Sequence, residues 1–121
     1  MISVKRGDVY MAELDPVVGS EQGGRRPVLL IQNDLGNRYA PTVIVLPLTA
    51  SRRKPDLPTH VRVSGGEGGL WHDSVILCEQ VRTLEKTRLL RRLGALPHSR
   101  MKAVEAALSV SLDMALPDAA D

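Results

Sequence analysis

Apolar and polar residues follow two different rhythms along this chain. Up to about residue 94 the apolar positions come in short runs of strand length. From Ser99 onward they recur at helical spacing. Residues 7–14, GDVYMAEL, alternate. Val9, Met11 and Glu13 fall on one face, and Tyr10, Ala12 and Leu14 on the other. The run PVLLIQN that follows is continuously apolar at its start, the pattern of a strand covered on both faces. Pro27 has no N–H, so it belongs at the first residue of that strand or at an edge. TVIVLPL, residues 42–48, reads as a β-branched strand broken near Pro47. THVRVS, residues 59–64, reads as a shorter strand. SVILCEQVRTLE, residues 74–85, is the longest strand-like stretch. A short strand or turn near residues 89–93 precedes Gly94.

The segments between these runs read as loops. Residues 15–25 hold Pro16, Gly19, Gly23 and Gly24, so the chain turns sharply there and its backbone can approach a ligand. NDLGNRYAP reads as a second loop, TASRRKPDLP as a basic loop and GGEGGLWHD as a flexible connection. In the tail Met101, Val104, Leu108 and Leu112 form one stripe, with Ala107 and Ser111 beside it. That spacing predicts an amphipathic helix over about residues 98–114, with Pro97 in its first turn and Ser99 as a possible cap. Strands first and one helix last predict a mainly β fold, a small antiparallel barrel or curled sheet over about residues 5–94. No repeat or linker divides the chain, and residues 1–121 read as one domain.

Composition adds a few limits. A chain of 121 residues is long enough to bury a real core. Cys78 is the only cysteine, which rules out an internal disulfide and favours a reducing compartment. The start MISVKRGDVY is polar too early for a signal segment, and no apolar run nears the roughly 18 residues of a membrane span. These features predict a cytoplasmic protein away from membranes. The formal net charge is only +2, so the distribution of charge matters more than its sum. Arg25 with Arg26, residues 52–54 and residues 88–92 form three basic clusters. On one face they would follow a phosphate backbone; apart, they are solvated surface charge. Aromatic residues are scarce, which argues against a stacking platform for bases.

Familiar catalytic motifs do not occur. There is no P-loop, GxGxxG, CxxC or HExxH, and His60, His72 and His98 are scattered without cysteine partners. What remains near strand ends is arginine, threonine, serine and glutamine, groups that stabilise anions. Such a set suits phosphoryl transfer, where positioning and charge stabilisation do most of the work.

KRGDVY, VVGSEQGGRRPVLLIQND, TVIVLPLTA, LPTHV and DSVILCEQVRTL, in this order, resemble the MazF/PemK family of toxin endoribonucleases. The series runs from about Lys5 to the C-terminal helix. The resemblance implies a small SH3-like barrel, related to that of CcdB, with a C-terminal helix and a homodimeric assembly. It also implies cleavage of single-stranded RNA, such as mRNA, at a short sequence, without metal or other cofactor. In that family the ribose 2′-OH attacks the adjacent phosphorus, leaving a 2′,3′-cyclic phosphate and a 5′-hydroxyl. The implied protein partner is an antitoxin with an acidic, flexible segment.

Carried over residue by residue, the family's catalytic arginine, which precedes the proline of RPV, is Arg26. Its catalytic threonine, in PLT, is Thr49. The loop positions are Ser20, Glu21 and Gln22, and the late pair is Glu79 and Gln80. Thr59 and His60 resemble a base-contacting stretch. Arg25, Arg53 and Lys54 are carried as auxiliary cations toward RNA, and the resemblance gives Arg25 no role. Pro27 pushes Arg26 into an extended backbone, which pre-orients it better than Arg25. A guanidinium keeps its proton at neutral pH. Arg26 is therefore expected to stabilise charge, Thr49 to donate to a non-bridging oxygen, and Glu21 to stand as a candidate base. Alternatives stay open at this level: Arg26 paired with Asp34 or Glu79 as a structural cation, Thr49 capping a turn, a non-catalytic gyrase-binding toxin of the CcdB type, or a passive RNA-binding module.

Overall fold

The computed structural model describes residues 3–50 and 56–115. Its elements run β1 (Asp8–Glu13), β2 (Arg25–Leu30), α1 (Asp34–Tyr39), β3 (Thr42–Ala50), β4 (His60–Val63), β5 (Ser74–Leu77), β6 (Arg82–Glu85), β7 (Leu89–Ala95) and α2 (His98–Ser111). The strands form one antiparallel sheet in the order β4-β5-β3-β2-β1-β7, with β6 also paired to β3. The fold is mainly β with one long C-terminal helix, as the pattern predicts. It is barrel-like, but its end strands β4 and β7 are not joined by a ladder.

The centre of the sheet is buried on both faces. Val9, Leu29, Leu46 and Leu48 face one core, which Ile76 joins from β5 and Met101, Val104 and Ala107 from α2. Tyr10, Ala12, Leu14, Val28, Leu30, Val43 and Val45 face the other core, with Leu84. Val28, Leu29 and Leu30 are successive and all fully buried, which is why this run carries no polar alternation.

Several boundaries differ from the sequence expectation. Pro27 is the third residue of β2, not the first. Pairing of β2 with β3 begins one residue later, at Val28 opposite Pro47, so Pro27 stands outside that ladder. β3 does not break at Pro47 but continues to Ala50. On one side it pairs with β6 through residues 42–45 and with β5 through residues 48–50. Pro47 falls between these two ladders, where that side of the strand needs no donor. The stretch 74–85 is two strands, because a turn closed by Gln80 N–H to Leu77 O (3.1 Å) interrupts it.

Residues 33–41 hold a short helix rather than only a loop. Asn33 caps it by accepting from Gly36 N (2.8 Å). The connection 65–73 is a packed element. Its 3-10 turn, Glu67–Gly69, lies against β7 so closely that a Cβ on Gly69 would sit 2.0 Å from Leu93 O. Glycine is the residue that admits this approach, and its φ of +76° agrees. β7 extends through Gly94 to Ala95. In α2 the cap is Pro97, with no side-chain cap bond, so Ser99 does not serve. The buried stripe ends at Leu108, and Leu112 is exposed just beyond the helix.

Candidate active site

Arg26 and Thr49 are brought together by strand register. Val28 pairs with Pro47, Leu29 with Leu46 and Leu30 with Val45. Continued by two residues, the same register sets Arg26 opposite Thr49. The Arg26 side chain bears this out. Its Nη1 donates to Leu48 O (3.3 Å), and its Nε donates to Gly23 O (2.9 Å). Two backbone carbonyls therefore fix the guanidinium at the end of β2, half-buried, and among the described residues no carboxylate pairs with it. The structural pairing with Asp34 or Glu79 is not found. Asp34 instead accepts from the backbone N–H of Arg6 (2.7 Å). The Thr49 hydroxyl has no hydrogen-bond partner among the described residues. It caps no turn there.

Beside this pair lies a cleft of about 370 Å³, lined by Leu14, Val45 and Pro47 at the strands, by Ser20, Glu21 and Gln22 from the loop before β2, and by residues 79–82. Residues two apart on a strand share a face. Thr49 thus stands on the same face as Pro47 and Val45, roughly 7 Å along β3 from Pro47. The loop is tied to the opposite rim by Gln22 N–H donating to Gln80 Oε1 (2.9 Å). Glu21 is exposed and accepts from Val18 N (2.6 Å) through Oε1. That bond folds the loop over itself. Ser20 is exposed and makes no bond among the described residues.

Thr59, His60 and Glu79 form one unit. Glu79 Oε1 accepts from the Thr59 hydroxyl (3.0 Å), and Glu79 Oε2 lies 3.1 Å from His60 Nε2. Burial raises the Glu79 pKa; its own backbone N–H, His60 and Thr59 pull it down further, so the carboxyl ends below its ordinary range. The His60 side chain is only 6 % exposed. In this arrangement His60 holds Glu79. Arg25 is separated from Arg26 by strand alternation. It is exposed, faces Glu13 across the β1–β2 pairing, and contacts it at 3.4 Å. Arg53 and Lys54 lie outside the described residues.

One cleft residue was not singled out in the sequence. Arg82 opens β6 opposite Val45 and lines the cleft. Its signal lay in the EQVR spacing, which reads as plain strand alternation unless a turn is placed at Cys78. Cys78 itself is fully buried, and burial, helped by the Glu79 charge, pushes its thiol up to about 12. It is packing rather than a nucleophile. Among the described residues no three His, Cys, Asp or Glu side chains gather as a metal site.

Residues 5–112 match the family of PemK-like, MazF-like toxins of type II toxin–antitoxin systems. The chain belongs to this family. It is 56% identical over 109 residues to Endoribonuclease EndoA of Bacillus subtilis (strain 168), covering 90% of this chain and 94% of that protein. It is 52% identical over 111 residues to Endoribonuclease MazF of Staphylococcus saprophyticus, covering 92% of each. Among solved structures, a MazF from Deinococcus radiodurans superposes with a TM-score of 0.81 at 25% identity, over 94% of this chain and 100% of that one. A mycobacterial endoribonuclease in complex with its cognate antitoxin gives a TM-score of 0.78 at 27% identity, over 94% and 99%.

Proposed function

We propose that this chain is a sequence-specific, metal-independent endoribonuclease toxin that cleaves single-stranded RNA. The observation that carries the reading is the facing pair of Arg26, fixed by two carbonyls, and Thr49, whose hydroxyl has no partner among the described residues and stands near a cleft. Held donors aimed at developing charge are what a phosphoryl-transfer site needs.

In this reading the 2′-OH oxygen attacks the adjacent phosphorus as the P–O5′ bond breaks. The 2′ proton passes to a base, and the departing 5′ oxygen takes a proton to become the 5′-hydroxyl. The strand on the other side keeps a 2′,3′-cyclic phosphate. Arg26 uses guanidinium protons not given to Gly23 and Leu48 to stabilise the phosphorane oxygens. Thr49 donates to a non-bridging oxygen. Glu21 is the candidate base, since one of its carboxylate oxygens has no partner among the described residues. Glu79, Gln80, Gln22 and Ser20 line the cleft and read the bases beside the cut. Arg53, Lys54 and Arg25 are auxiliary cations toward the RNA backbone. Thr59 and His60 act through Glu79.

The partner proposed is an antitoxin with an acidic, flexible segment, supported by the antitoxin complexes of structural relatives. A homodimer and a cytoplasmic location complete the reading; no described helix is long and apolar enough to cross a membrane. The gyrase-binding alternative is not favoured, because the close sequence relatives are named endoribonucleases. Incubation with a labelled single-stranded RNA pool in EDTA tests the reading. Discrete fragments are expected. A shifted but intact band would mean a binding protein only.

A further inference from the structure

The cleft holds a cation that no described residue neutralises. Arg82 Nη1 is shut off from solvent and has no hydrogen-bond partner among the described residues. Two carboxylates line the same cleft, yet neither pairs with it. Glu21 gives an oxygen to Val18 N, and both oxygens of Glu79 are taken by Thr59 and His60. A charged donor left unpaired in this way costs the folded state free energy. An anion that enters the cleft would recover that cost.

From this we infer that Arg82 is a phosphate-binding residue for the RNA strand, at a position flanking the scissile phosphate. The inference rests on the endoribonuclease reading. Arg82 lies opposite Val45, and Thr49 is four residues further along β3, roughly 13 Å away. The two arginines therefore serve different phosphates of one strand. Arg26 meets the one that reacts, and Arg82 holds its neighbour and fixes the register in which the strand lies over Thr49. To engage, the Arg82 guanidinium turns about its terminal torsions toward the cleft mouth, since no hydrogen bond to a described residue holds it back. Bidentate geometry makes a guanidinium well matched to a phosphodiester.

Salt-dependent binding to a mixed-sequence, single-stranded 2′-O-methyl oligoribonucleotide tests the idea. This probe lacks the 2′-OH nucleophile, so binding is read whether or not the wild type cleaves RNA. Fluorescence anisotropy across a salt series gives the slope of log affinity against log salt. Arg82→Gln should flatten that slope by about 0.7, the loss of one phosphate contact on a single strand, and weaken binding roughly tenfold at low salt. Arg82→Lys should keep the slope. Arg82→Met, which removes the unpaired donor, should melt no lower than the wild type. An unchanged slope in Arg82→Gln would overturn the assignment. So would a fall of about 5 °C or more in Arg82→Met, because the acceptor would then come from the protein or from a second copy. RNA cleavage by the wild type with an unchanged Arg82→Gln slope would sink this inference alone; absence of cleavage would sink the reading beneath it.

Discussion

Two polar regions at different places on the same sheet treat their hydrogen bonds in opposite ways. Around α1 the buried side-chain amides are met. Gln32 Nε2 donates to Asn37 Oδ1 (3.0 Å) and Thr42 O (2.9 Å), and Asn37 Nδ2 donates back to Gln32 O (3.0 Å) and to Asp34 Oδ1 (3.1 Å). Both side chains are buried, so a closed network is the condition for their being there at all. At the β2–β3 end and along the cleft beside it, the Thr49 hydroxyl, Ser20 and Arg82 Nη1 have no partner among the described residues. The first region spends its polar groups on holding a helix to the sheet. The second holds Arg26 firmly and leaves the groups around it for a ligand. On the proposed reading, unmet donors near a fixed guanidinium mark the working end of the molecule more clearly than charge density does. Arg25, the most exposed of the paired arginines, already has Glu13.

If that contrast is sound, substitutions at the two ends should separate activity from stability. Arg26→Ala carries the largest expected effect: a roughly thousandfold loss in single-turnover RNA cleavage at saturating protein, with little change in melting temperature. Near wild-type chemistry would remove Arg26 from the reaction. Thr49→Ala should cost about 10- to 100-fold in the same assay, the range of one hydrogen bond to a charged oxygen. Because that hydroxyl has no partner among the described residues, the variant's melting temperature should hold; a clear drop would show a structural role instead.

Asn37→Ala should do the reverse. It strands the Gln32 amide and should cost about 2 kcal/mol in denaturant unfolding, while the cleavage rate of the folded fraction stays at the wild-type level. Glu67→Gln gives the smallest effect. Arg100 Nε and Nη2 donate to Glu67 at 2.8 and 3.0 Å, and this pairing, aided by the Ser64 N–H, lowers its pKa to about 2. A depressed carboxyl pKa adds stability that is present above the unfolded value, near 4.5, and is lost as pH falls toward 2. The variant should melt slightly lower at pH 7 and show a flatter decline in stability over that window. Identical acid profiles would deny the pair any role in stability.

The sheet was legible because burial on two faces leaves a plain trace: an unbroken apolar run at residues 28–30 and alternation at residues 9–14. The helix α2 was legible for the same reason, through Met101, Val104 and Ala107. What escaped was set by backbone bonds with weak sequence marks. The turn at residues 78–81 contains neither glycine nor proline; its shape depends on Cys78 N–H reaching Thr59 O (3.0 Å), a contact far off in sequence. The helix α1 is one short stretch with Gly36 inside it, and its main signal was the cap Asn33 before Asp34.

The candidate site divides along the same line. Arg26 and Thr49 came from the family resemblance, and nothing local in sequence shows that they face each other, because that follows from β2–β3 register. Arg82 was hidden because residues 74–85 read as one strand, with no turn between β5 and β6. His60 came with Thr59 from the resemblance to a base-contacting stretch, and its contact with Glu79 is set by the fold, 19 residues away in sequence.

The claim that matters most is that Arg26 and Thr49 serve attack by the ribose 2′-OH. End-group analysis of RNA fragments made in EDTA tests it most directly, with a 2′-O-methyl copy of the cleaved sequence as the paired substrate. The account predicts 2′,3′-cyclic phosphate and 5′-hydroxyl ends on the RNA and an intact 2′-O-methyl strand. Fragments bearing 5′-phosphates, or cutting of the 2′-O-methyl strand, would contradict it.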